Sequence, residues 1–183
     1  DGARYARNTD GFTPLTPLNG WIGTSFGTHD AGVRLIDGIV HLQGALASGT
    51  STTLFTLPVG MRPATDVYVT VGLCTARKGR LRIQPSGIVS VDGPSFADAQ
   101  CFTSLDGVSF APSSAGFSNL TLLNGWLGAP FSTSSAAVST IDGIVRLKGA
   151  VADGASGVLF QLPAGMRPAS DVYVATDLCG AAA

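Results

Sequence analysis

Apolar and polar residues alternate in short runs along this chain, and Gly, Pro, Asn or Asp closes each run. Alternation with period two, bounded by turn residues, predicts half-buried β-strands. In Ile39-Val-His-Leu-Gln-Gly44 it puts Val40 and Leu42 inward and His41 and Gln43 outward. That run follows Asp37-Gly38, a dipeptide suited to a two-residue hairpin turn. Val67, Val69 and Val71 alternate with Tyr68 and Thr70 after the turn Leu57–Pro63, and Arg80-Leu-Arg-Ile83 directs Leu81 and Ile83 inward. Ile88–Val91, Cys101–Leu105 and Val108–Phe110 predict further strands, for eight or nine in all, within the size of a single sandwich domain of about 100 residues.

The pattern is written twice. An offset of 105 positions lays Trp126 on Trp21, Asp142 on Asp37, Arg167 on Arg62 and Cys179 on Cys74 without a gap. Over half of the aligned positions are identical, with the clearest blocks at Leu18–Trp21 and Gly60–Val69. Small solenoid repeats run at roughly 20–50 residues, so a period this long denotes whole tandem domains. The repeat also tests the strand assignment. Val40 and Leu42 stay Val145 and Leu147, whereas His41 and Gln43 become Arg146 and Lys148. A strand with one buried face behaves this way.

The expected fold is therefore all-β, with tandem jelly-roll-like β-sandwich domains. Residues 1–10 read as the tail of a preceding repeat and a linker, 11–113 as a complete repeat, and 114–183 as a second repeat truncated at its C-terminus. The small-residue stretch Ala111–Ala115 separates the two. The second repeat lacks counterparts of Arg80–Ile83, Ile88–Val91 and Cys101–Leu105, which leaves apolar faces and open edges to be covered. Further sequence or a neighbouring chain would cover them, and further sequence is the reading adopted.

Composition narrows the function classes. Charged residues make up 13% of the chain, against about 25% in ordinary proteins. The net charge of −1 supplies no field for nucleic acid. All twelve acids are Asp, and the scarcity of Glu and Lys argues against helices. No apolar run approaches the ~20 residues that span a bilayer, so no membrane insertion is expected. A hydrophobic content of 45% argues against disorder.

The repeat then filters the candidate chemistry. His29 and His41 become Ser134 and Arg146, so neither serves a catalytic or metal site common to both copies, although a role in one unit stays open. A shared Ser–His–Asp set is thereby absent. Asp1/Asp106, Asp37/Asp142, Asp66/Asp171 and Arg62/Arg167 are kept. They read either as turn chemistry, with Arg62 pairing Asp66 to brace Pro63, or as paired carboxylates for glycoside hydrolysis. Trp21 and Trp126 are either sugar-stacking platforms or indoles packed beneath a sandwich edge with the N–H satisfied. Tyr68 and Tyr173 face away from the valine stripe, toward a neighbouring chain or unit. A Cys74–Cys101 disulfide would stabilise the fold by about 3 kcal/mol and imply an oxidising compartment; buried free thiols are the alternative. No catalytic residue, metal ligand set or cofactor site is expected.

The segments Leu57–Val69, Gly79–Val91 and Phe102–Ala111 resemble the LPxGxRP…SLDGxSF module of phage tail fibre and minor tail proteins and of secreted actinobacterial repeat proteins. The first repeat matches throughout and the second as far as Val174. The resemblance implies a β-sandwich along or at the tip of a fibre, often trimeric, that binds surfaces or glycans or acts as a spacer. The expectation is a non-enzymatic structural or adhesive module, secreted or on a virion surface, partnered by copies of itself. The alternative is a carbohydrate-binding module that holds a cell-surface glycan. The cysteine pair is closer to the secreted form.

Overall fold

The computed structural model describes residue 5 and residues 7–178; Asp1 and Cys179 lie outside them. The described residues form two compact units, one running to Pro112 and including 174–178, the other Ser113–Tyr173.

The first unit carries two four-stranded antiparallel sheets. One contains β1 (Thr13–Pro14), β2 (Gly32–Ile36), β3 (Ile39–Gln43) and a late strand, Ser109–Phe110, against the free edge of β3. Between them the chain lays down β4 (Ala45–Leu46), β5 (Thr53–Thr56), β6 (Val67–Gly72), β7 (Lys78–Ile83), β8 (Ile88–Asp92) and β9 (Thr103–Ser104), so the closing strand is β10. The second sheet is ordered β5-β8-β7-β6, and β4 pairs with β9. The β2–β3 hairpin pairs Ile36 with Ile39 across Asp37-Gly38, whose φ values of 49° and 77° are those of a type I′ turn.

The inward residues of both sheets meet in one core. It joins Val33, Val40 and Leu42 to Leu81, Ile83, Val89 and Val91, and Leu105, Val108 and Phe110 pack into it. The β5–β8 register shifts between Thr53 and Phe55, so the neighbours Leu54 and Phe55 are both buried. A bulge permits this where strict alternation does not. This is the expected all-β sandwich.

Three expectations need correction. Cys101–Leu105 is not one strand: Phe96–Cys101 form a helix, α1, and only Thr103–Ser104 of the run pair as a strand. Ser95 caps α1 by accepting from the Asp98 amide at 3.2 Å, a local signal that outweighs the composition argument against helices. Ten strands form among the described residues of this unit rather than eight or nine, because the two-residue strands β1, β4, β9 and β10 pair as well. Gln43 does alternate outward, yet it is buried, because Phe12 packs over Gly32 beside it. The expected Cys74–Cys101 disulfide is present and ties the tight turn Cys74–Ala76 to the last residue of α1.

The second unit rebuilds the first sheet. Its strands are β11 (Ser118–Asn119), β12 (Leu127–Gly128), β13 (Ala137–Ile141), β14 (Ile144–Lys148) and β15 (Val151–Ala152). The β11-β13-β14 order copies β1-β2-β3, and Asp142-Gly143 repeats the hairpin turn with φ values of 50° and 73°. Residues 158–161 occupy the place of β5 but make only the single bridge Leu122–Phe160. A strand forms where there is an edge to pair with, and β5 has β8 for that purpose.

Candidate functional site

The two tryptophans sit in the same device. Asn19 and Gly20 turn the chain with φ values of 50° and 72°, a conformation suited to Asn-Gly. Trp21 then points its ring onto Gly49, where any side chain would overlap the indole. Its Nε1 donates to the Ser51 carbonyl at 2.8 Å, and Asn19 donates to the Thr53 carbonyl at 3.0 Å. In the second unit Trp126 lies over Gly154 and donates to the Ser156 carbonyl at 2.8 Å, while Asn124 donates to Val158. The loop is stapled to the segment across from it. Trp21 is 4% exposed and also meets Phe96 edge-on at 6.3 Å, so it offers no ring face to a sugar. Trp126 is half-buried.

Tyr68 belongs to an ionic face on β6 and β7. It lies opposite Arg82 and carries the Arg80 guanidinium 5.2 Å above its ring. Arg82 donates twice to Asp66, at 2.7 and 2.9 Å, and these bonds raise its pKa. Burial disfavours the Arg80 charge, but Asp177 at 3.3 Å and Asp92 at 3.5 Å outweigh it and raise that pKa too. Tyr173 is 88% exposed. The expected Arg62–Asp66 pair does not form. Arg62 instead donates to the Leu57 carbonyl at 2.9 Å, and Arg167 repeats this with Leu162 at 2.9 Å. Asp66, nearly buried, needs a partner on the neighbouring strand, and Arg82 supplies it.

Two clefts in the first unit have Phe12 in their walls. One, of about 490 Å³, lies beside the outer face of β2 and β3 and is lined by Tyr5, Arg7, Arg34 and His41. The other, of about 360 Å³, is lined by Thr28, His29, Asp30 and Gln43. The histidines left open as unit-specific thus fall one in each cleft. Asp30 and Gln43 were not singled out in the sequence as site residues, although their replacement by Ser135 and Lys148 was a visible signal. In the second unit Lys148 donates to the Ser113 carbonyl and the Ser114 hydroxyl, both at 3.0 Å, and lies 5.4 Å over Phe117. Burial lowers its pKa.

Among the described residues no group of three or more His, Cys, Asp or Glu side chains is placed to hold a metal ion. No helix there is long and apolar enough to cross a membrane. No family model matches the chain, and no curated protein matches it. Among solved structures it is similar to the receptor binding protein (gp15) of Listeria phage PSA. That likeness has 20% identity and a TM-score of 0.43, and it covers 60% of this chain and 66% of that one.

Proposed function

We propose that the chain is a non-enzymatic, extracellular structural and adhesive module, repeated along a fibre or filament of a secreted or virion surface. Its principal partners are copies of itself. The observation that supports this reading is what the residues shared by both copies do. Trp21 and Trp126 staple loops, Asp37 and Asp142 occupy hairpin turns, and Arg62 and Arg167 hold the carbonyls of Leu57 and Leu162. Asp106 accepts from the Gly44 amide at 3.0 Å. The tryptophans, the arginines and Asp106 bond backbone groups, and Asp37 and Asp142 hold turn conformations, which suits a repeated spacer better than a repeated active site.

Two measurements on the intact chain test this. Analytical ultracentrifugation is expected to show self-association, and a monomer at every concentration would count against a fibre. A panel of glycoside and ester substrates is expected to stay unhydrolysed. Hydrolysis that disappears in a folded Asp37→Asn variant would overturn the non-enzymatic reading. A second reading, a carbohydrate-binding module, is favoured by the clefts beside Phe12, whose walls mix apolar and polar side chains and which the second unit does not reproduce residue for residue.

A further inference from the structure

We propose that the cleft between Phe12, Thr28, Asp30 and Gln43 binds a neutral saccharide, and that the first unit alone carries this site. The proposal rests on the carbohydrate-binding reading and gives it a place and a ligand class. Its starting point is Gln43, which is 3% exposed and whose Oε1 has no hydrogen-bond partner among the described residues. Buried amide oxygens are almost always paired, and leaving one unpaired costs about 1–3 kcal/mol. The side chain lies against Gly32 and Phe12, and it lines an open cleft of about 360 Å³, within the range of small-ligand sites. Exchanging the two ends of the terminal amide would turn the oxygen to the cleft and seal the amino group in its place, so the amide can offer a ligand either an acceptor or a donor.

The rest of the wall selects the ligand. Asp30 supplies an exposed carboxylate, an acceptor. Thr28 donates its own hydroxyl proton to the Ser25 carbonyl at 2.8 Å, so toward the cleft it too is an acceptor. Phe12 adds an apolar surface. These acceptors, with the His29 imidazole in the same wall able to donate or accept, lie beside an aromatic side chain and fit a molecule with several hydroxyls and an apolar face, which is the chemistry of a sugar ring. An anionic ligand would meet the Asp30 carboxylate, and one carboxylate is too few for a metal ion.

The second unit is an internal control. Asp30 is replaced there by Ser135, and Gln43 by Lys148. The Lys148 ammonium bonds Ser113 and Ser114 and covers Phe117, the counterpart of Phe12. The orphaned acceptor is gone, and a cation stands in its place.

The test is a glycan array followed by calorimetry, using the full chain and neutral hexose and N-acetylhexosamine oligosaccharides. Asp30→Ala and Gln43→Lys are compared with wild type; the second installs the residue the other copy already accommodates. The proposal expects at least a tenfold loss of affinity in each, with thermal unfolding unchanged, and no loss in Ser135→Ala. Should Gln43→Lys fail to fold, the exposed Asp30→Ala decides. Neutral glycan binding undiminished in the folded variants overturns the cleft and leaves the carbohydrate-binding reading standing. Binding confined to anionic glycans overturns the ligand class, and retention of no glycan by wild type overturns both.

Discussion

Val40 and Val145 occupy the same position of the same hairpin, yet the first is fully buried and the second is 39% exposed. Leu42 and Leu147 repeat the contrast at 3% and 54%. The strands, the register and the Asp-Gly turn agree between the units, so local sequence is not the cause. The first unit lays a second sheet over this face, and among the described residues the second unit has no such sheet. The alternating pattern therefore encodes which face will be buried. Burial itself depends on elements far away in sequence.

Paired substitutions sharpen this contrast. Trp21→Ala removes a buried indole and its hydrogen bond, and is expected to destabilise the first unit by about 3–5 kcal/mol. Trp126→Ala, at a half-buried ring, should cost the second unit less than half as much; chemical unfolding followed by circular dichroism compares the two. Leu42→Ala is expected to cost about 2–4 kcal/mol, and Leu147→Ala under about 1 kcal/mol. Equal costs at Leu42 and Leu147 would mean that the second sheet face is covered after all. Replacing Cys74 and Cys101 by Ser is expected to cost about 3 kcal/mol. Hydrogen-exchange mass spectrometry should show that loss in α1 and β7 while β13 and β14 are unchanged. The smallest contrast is between the two aspartates. Asp66→Asn weakens bonds to Arg82 and should cost about 1–2 kcal/mol, whereas Asp171→Asn, on an exposed side chain, should be silent in thermal unfolding.

Much of the fold was legible because its signals are local. Asp37-Gly38 and its copy specified the hairpin turn, and the valine stripe of β6 specified its inward face. The helix was missed because six residues are too few to show a helical period, and only Ser95 and Asp98 at its start betray it. Asp66 was assigned the wrong partner because Arg82 is sixteen positions away and meets it only once β6 and β7 are in register. The burial of Gln43 was invisible for a similar reason, since it requires Phe12 from another segment. The candidate site was half legible. Comparing the copies left His29 and His41 open to unit-specific roles, but the unsatisfied oxygen of Gln43 emerged only from packing.

Amide hydrogen exchange on the intact chain at low concentration compares β3 with β14 and asks whether a matching strand is protected without an overlying sheet. The β3 amides are expected to be protected to the level of global unfolding, while the β14 amides exchange orders of magnitude faster. Equal protection of the two strands in a monomeric sample would contradict this.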